Sequence, residues 1–364
     1  MTSAIAGRPR IDPSADVVEL TRQLVDVRSV SHEECELADA VEAVLRAAGH
    51  LAVTRRGNTL VARTELGRAE RVVIAGHLDT VPENGNLPAR LEGGLLHGLG
   101  SCDMKGGVAV ALKLAVELAT PVRDVTWIFY EAEEVEAVHN GLNKLSASDP
   151  DLLRADFAIL MEPSNASVEA GCQGTMRVEV RTHGERAHSA RAWMGSNAIH
   201  KASDILARLE QHEPRQPVID GLTYREGLNA VFINGGVAGN VLPDECVVTV
   251  NHRFAPDRTE AEAEAFLRTF FAPYDVTVVD SAPGALPGLA VPAAAAFVEQ
   301  VGGAVAPKFG WTDVARFSSL GIPAVNYGPG DPTLAHKQEE HVPVEHIERC
   351  ERTLRRWLTV AGTR

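Results

Sequence analysis

Three apolar runs, "RVVIAGHLD" (71–79), "DVTWIFYEAEE" (124–134) and "ADFAILMEPS" (155–164), each break off abruptly into carboxylates. Each reads as a strand. Acids at the mouth of an apolar strand have two explanations. They can begin a solvated helix, where the dipole welcomes negative charge, or they can face a cation. The adjacent pair Glu133 and Glu134 sharpens the choice, because two neighbouring carboxylates in a confined site resist ionising together. A dication lifts that penalty, leaving one acid to ligate and its neighbour free as a general base. Between the strands lie stretches of helical periodicity, such as "ECELADAVEAVLRAAGH" and "DMKGGVAVALKLAVEL". Strands alternating with helices make an α/β layer, and in open α/β sheets functional sites form beyond the carboxyl ends of the strands.

From Gly174 the texture changes. "TMRVEVRTHGE" alternates like a half-buried strand, "GSNAIHKASDILARLEQ" is helical, "NAVFINGG" and "ECVVTVNHRF" are strands, "TEAEAEAFLRTFF" is a helix and "YDVTVVD" a strand. This order describes a compact α+β insert. The Pro/Gly-rich "APGALPGLAVP" marks the return to the first domain, which "AFVEQVGG", "IPAVNYGPG" and the terminal helix "VEHIERCERTLRRWLTVAG" complete.

The 364 residues suffice for two domains. A formal net charge of −14 excludes nucleic acid as a default partner, since phosphate binding wants clustered Lys and Arg. Five dispersed cysteines without a C-x-x-C pair form neither a disulfide framework nor a zinc knuckle. The first twenty residues lack the apolar stretch of a secretory signal, and no run approaches the ~18 apolar residues of a membrane span. A cytoplasmic protein with reduced thiols is expected.

The strand-end residues form a coherent donor set. In "GHLDTVP", His77 and Asp79 are two apart and share one side of an extended backbone. That suits a metal-bound imidazole whose second nitrogen bonds a carboxylate. "GLGSCDMKGG" holds Asp103; it is no phosphate loop, because Gly106 rather than Ser or Thr follows Lys105. Glu162 closes the third run. A remote stretch, "GPGDPTLAHKQEEHVP", adds His336 and His341 with Glu339 and Glu340. Carboxylates and imidazoles without thiolates suit zinc, cobalt or manganese, and their number fits two ions sharing one bridging carboxylate.

In this order the motifs "GHLDTVP", "GLGSCDMKGG", "EAEE", "MEPS" and "AHKQEE" resemble the co-catalytic metallopeptidase family. Its members include carboxypeptidase G, aminoacylase, acetylornithine deacetylase and succinyl-diaminopimelate desuccinylase. The resemblance spans nearly the whole chain. It implies a three-layer, mixed-sheet α/β catalytic domain (1–173 and 288–364) interrupted by an α+β sandwich lid and dimerisation domain (174–287). It implies two zinc ions, with cobalt able to serve in one or both sites. His77 and Glu162 would hold one ion, Glu134 and His336 the other, and Asp103 would bridge them through a loop with a cis Asp103–Met104 peptide. Asp79 would orient His77, and Glu133 would be the general base. "GERAHSA" supplies His188, which in the family reaches a partner subunit's site and stabilises the oxyanion; a homodimer through the lid follows. Asn240 in "GGVAGNVLPDE" and Arg253 in "VNHRF" resemble contacts to a substrate carboxylate. His183 and His200 are assigned surface or core roles, and Glu131 and Glu136 loop roles.

Within the family, "KFGWTDVARFSSLGIPAVNYGPGDPTLAHKQEEHVPV" resembles the desuccinylases of actinobacterial type. The implied reaction is hydrolysis of N-succinyl-L,L-2,6-diaminopimelate, a small-molecule substrate, in lysine and diaminopimelate synthesis. Deacetylation of acetylornithine, hydrolysis of other N-acyl amino acids and dipeptide cleavage are the enzymatic alternatives. A non-catalytic metal-binding scaffold is the alternative of another class, opposed by the completeness of the ligand set. Trp311 and Thr312 stand in "GWTD" where better-known members read G-T-S-D. There Trp311 forms either a substrate wall or core. Gln173 stands where a basic residue is expected, so that an anion contact would either be lost or fall to Arg177, Arg186 or Arg191.

Overall fold

The computed structural model describes residues 11–360; half of the N-terminal stretch read above for a signal lies outside that range. In chain order the elements begin with α1 (Val17–Asp26), α2 (Cys35–Ala47), β1 (Ala52–Arg56), β2 (Thr59–Arg63), β3 (Arg71–His77), β4 (Arg90–Glu92), β5 (Leu95–His97), α3 (Gly106–Glu117), β6 (Asp124–Tyr130), α4 (Gly141–Ser148), β7 (Phe157–Leu160) and β8 (Glu169–Ala170). There follow β9 (Gly174–His183), α5 (Ala198–Gln211), β10 (Val218–Ile219), β11 (Leu222–Thr223), β12 (Gly227–Gly235), β13 (Glu245–Phe254), α6 (Glu260–Phe270) and β14 (Asp275–Ala282). The chain closes with α7 (Pro292–Val301), β15 (Ala306–Pro307), α8 (Val314–Ser319), β16 (Ala324–Asn326), β17 (His341–Pro343) and α9 (Val344–Thr359).

These elements gather into two compact units. One comprises the described residues up to Ala170, Gly288–Ala306 and the described residues from Thr312 on; the other comprises Gly171–Pro287 and Pro307–Trp311. The sequence reading keeps 288–364 whole and divides the chain at 173/174. In the structure residues 307–311 join the second unit, where the Trp311 indole N–H donates to the Pro283 carbonyl at 3.1 Å.

The first unit is built on a mixed sheet in the order β1-β2-β6-β3-β7-β16-β8-β15. Its centre is parallel: β6 and β7 flank β3, and β16 adds beside β7. Central parallel strands are covered on both faces, so their sequences run apolar without alternation, and every residue of β6 is buried. Leu60, Val72, Ile74, Phe129, Phe157 and Ile159 point into the core shared with α1, α2, α3 and α9. The alternate residues Val61, Val73, Ala75, Ile128, Ala158 and Leu160 are equally buried on the opposite face, and α8 packs against β7 and β16. The result is three layers. α3 is apolar all round because it lies inside, with all but its last two residues buried. A small separate sheet, β17-β5-β4, is not foreseen from sequence; its strands are three residues each, too short for a periodic signal.

The second unit is an antiparallel sheet in the order β12-β13-β9-β14, with α5 and α6 supplying the other layer. Val178, Val180, Val248 and Val250 from the strands meet Ala202, Ile205, Ala263 and Leu267 from the helices. α6 starts at a capping box in which Thr259 and Glu262 satisfy each other's backbone N–H groups. Among the described residues, no helix is long and apolar enough to cross a membrane.

Candidate metal centre

β3, β6, β7 and β16 run parallel, so their carboxyl ends open along one edge of the sheet. His77 is the last residue of β3. Glu133 and Glu134 follow β6, Glu162 follows β7, and His336 lies in the loop after β16. Asp103 comes from the turn that leads into α3, and the Asp103–Met104 peptide is cis. His336 adopts a left-handed backbone, φ +64°, a conformation that non-glycine residues hold only when their surroundings impose it.

The side chains converge. His77 Nε2 lies 3.2 Å from Asp103 Oδ1. The second oxygen, Asp103 Oδ2, lies 3.6 Å from His336 Nε2, which is itself 2.9 Å from Glu134 Oε1. Donor atoms of His77, Asp103 and Glu162 all fall within 4.8 Å of one another, and so do those of Asp103, Glu134 and His336. The two triads meet in Asp103. A third group joins His77, Glu133 and Glu134, which places Glu133 beside both. The structure therefore brings together the five expected ligands and the expected base.

Asp79 does more than its spacing from His77 suggests. His77 Nδ1 faces the Asp79 backbone carbonyl at 3.0 Å, with the carboxylate 3.5 Å away. That carboxylate accepts stronger bonds elsewhere: from Ser31 Oγ at 2.7 Å and from the backbone N–H groups of Glu133 and Glu134 at 3.0 and 3.1 Å. It therefore fixes the imidazole and the acid pair at once. Buried Glu34 accepts the Ala132 N–H at 3.2 Å. Glu131, expected to be a loop acid, accepts the Asn58 N–H at 2.7 Å and pairs with Lys144 at 2.8 Å. The 131–134 turn is thus pinned by carboxylates from three directions.

Electrostatics explain why these groups belong beside positive charge. Burial first, then repulsion from Glu162, Asp313 and Glu134, pushes Glu133 well above the usual carboxylate range, against the pull of His77. Burial and the Asp103 charge raise Glu134. The hydrogen bond with Glu134 leads in pushing His336 up to about 9. Burial disfavours the His77 cation, yet Asp103 and Asp79 together raise its pKa well above the ordinary value. Asp79 is drawn down to about 2 despite its burial, by His77 and the bonds it accepts. Four carboxylates share this pocket with two imidazoles, and the all-oxygen-and-nitrogen donor set fits a pair of dications of the zinc or cobalt type.

Asp313, the last residue of "GWTD", has no role assigned to it from the sequence. It is fully buried, accepts Asn140 Nδ2 at 2.9 Å and pairs with Arg316; the "GWTD" motif contains it, but its partner Asn140 is remote in the chain. Thr312 is buried, and its hydroxyl donates to Asn326 Oδ1 at 2.9 Å. In the second unit His188 is exposed and its Nδ1 accepts the Ala190 N–H at 3.1 Å. The next residue, Ser189, donates its N–H to the Asn240 carbonyl at 2.9 Å, which makes His188 and Asn240 neighbours. Arg253 sits on β13 between Gly227 of β12 and Thr175 of β9, and burial lowers its pKa. Gln173 is buried. Arg177 and Arg186 face Asp280 and Asp244, whereas Arg191 has no acidic partner among the described residues. His183 pairs with Asp275 at 3.0 Å on the surface.

Known proteins resemble this chain over most of its length. Residues 73–359 match the profile of peptidase family M20/M25/M40. A Mycobacterium tuberculosis protein provisionally named succinyl-diaminopimelate desuccinylase DapE is 54% identical over 351 residues, covering 96% of this chain and 99% of its own. The succinyl-diaminopimelate desuccinylase of Corynebacterium glutamicum is 45% identical over 363 residues, covering 97% and 98%. Among solved structures, the metallo-carboxypeptidase Sso-CP2 of Sulfolobus solfataricus superposes with a TM-score of 0.79 at 15% identity, over 94% of this chain and 98% of that one.

Proposed function

We propose a function from one premise: this chain belongs to peptidase family M20/M25/M40. It is a hydrolase of amide bonds, and its reaction is the hydrolysis of N-succinyl-L,L-2,6-diaminopimelate to succinate and L,L-2,6-diaminopimelate. The observation that carries this reading is the pair of ligand triads sharing Asp103 in a chain 54% and 45% identical, end to end, to proteins named for that activity.

His77 and Glu162 would hold one dication, Glu134 and His336 the second, and Asp103 both; zinc is the proposed metal, with cobalt an able substitute. Such ions, when bound, polarise the scissile carbonyl and make water nucleophilic near neutral pH. The remaining work falls to the chain. Glu133 takes the proton of the attacking water and returns it to the departing amine. Its burial suits a group that must both accept and release a proton. Asp79 holds His77 and the Glu133–Glu134 backbone in register. His188, contributed across a homodimer, donates to the oxyanion. Asn240 and Arg253 bind a substrate carboxylate, and Trp311 and Thr312 are further candidate substrate contacts. Arg191, which has no acidic partner among the described residues, would replace the contact missing at Gln173, since Arg177 and Arg186 are already paired with acids. The five cysteines are free, which supports a cytoplasmic setting.

Support for the dimer comes from β12. It is an edge strand, and Val231, Phe232 and Ile233 are 46%, 65% and 50% exposed. An apolar edge of this kind invites pairing with another chain.

The zinc-loaded protein should release succinate from N-succinyl-L,L-2,6-diaminopimelate far faster than acetate from N-acetylornithine. The reverse preference would assign it to the deacetylases. Two bound zinc ions with no turnover of either substrate would make it a scaffold.

A further inference from the structure

The small β17-β5-β4 sheet is separate from the sheet whose strands carry the candidate ligands, yet it ends at the candidate metal centre. β17 pairs His341 with His97 of β5, and the Gly98 N–H extends that pairing by donating to the Glu340 carbonyl at 3.1 Å. The Glu340 side chain is thereby turned inward, 2% exposed. Its Oε2 accepts the Gly100 N–H at 3.0 Å, and its Oε1 accepts those of Cys102 and Asp103 at 2.9 and 3.1 Å. Its neighbour Glu339 is exposed. The short segment 336–340 thus contributes His336 at one end and grips the backbone of the Asp103 turn at the other.

We propose that Glu340 is a positioning residue of the metal centre. It holds the Gly100–Asp103 backbone so that the two oxygens of Asp103 stay divided between His77 and His336. Only a carboxylate serves here. Its two oxygens both accept, and three N–H groups arrive, whereas an amide would turn an NH2 against one of them and leave a buried donor unmade. The inference rests on the two-cation reading above.

The test uses the full chain, freed of metal by chelation and titrated with Zn2+ by calorimetry, with Co2+ absorption as a second signal. The wild-type protein should take up two ions. Glu340→Gln should weaken at least one step about 10- to 100-fold and alter the visible cobalt bands, while excess zinc restores turnover. Glu339→Gln should match wild type. Wild-type affinities and cobalt bands in Glu340→Gln would overturn the inference and leave the two-cation reading standing. A wild-type protein that binds no zinc would sink that reading and this inference with it. Should Glu340→Gln fail to fold, hydrogen exchange decides in metal-free wild-type protein: protected Gly100, Cys102 and Asp103 amides support a preformed grip, and amides exchanging as fast as open loops refute it.

Discussion

Asp79 shows how much a single carboxylate can organise, and how little of that is written beside it. The H-x-D spacing predicts its approach to His77, but its bonds to the Glu133 and Glu134 amides join segments far apart in the chain and leave no local mark. The same holds for the bonds that buried Glu34 and Asp313 make to Ala132 and Asn140, which only the fold supplies. Replacing Asp79 with Asn should therefore loosen both the imidazole and the acid pair, lowering zinc affinity about 10- to 100-fold in a calorimetric titration. Glu133→Gln should behave oppositely. It should keep two zinc ions by elemental analysis and lose turnover by about 10²-fold or more, the usual contribution of general acid–base catalysis. Turnover within a few-fold of wild type would move the role of base to another residue.

Among elements, the long ones were legible. The strands that end in the proposed ligands are apolar because both faces are covered, and α3 is apolar because it is enclosed. β8, β15 and the β17-β5-β4 sheet have strands of two or three residues, too short for any period to declare itself. The double glycine of "DMKGGV" is legible only in retrospect. A Cβ on Gly107 would meet the Met161 carbonyl oxygen at 2.2 Å, and one on Gly328 would meet the same atom at 2.2 Å. The backbone that presents Glu162 is clamped between two residues without side chains. Gly107→Ala should cost about 1–3 kcal/mol or more in urea unfolding and reduce bound metal. On β13, burial among aromatic rings lowers the pKa of His252 below its ordinary 6.5, outweighing the pull of Glu226 and of the Gly227 carbonyl. A histidine kept neutral by folding stabilises fully above the unfolded value, and that contribution is lost as pH falls through the folded one. His252→Phe should flatten the decline in stability below about pH 6.5, measured by denaturant midpoints across pH.

For the whole molecule, the proposed homodimer assigns β12 its use. Phe232→Glu should shift the protein toward monomer in sedimentation velocity and depress turnover, if His188 acts across subunits. Mixing His188→Ala with a Glu134→Ala variant should restore part of the activity through mixed dimers. The discontinuous first unit carries a further consequence, one of timing. β16 inserts beside β7, yet it is made only after the entire second unit, and His336 comes later still. On a ribosome adding about 5–20 residues per second, roughly 9 to 35 s separate the synthesis of Glu162 from that of His336. Throughout that interval the nascent chain carries a cluster of acids short of one imidazole and of the Glu340 grip, so a full complement of ions must await the synthesis of the 336–340 segment.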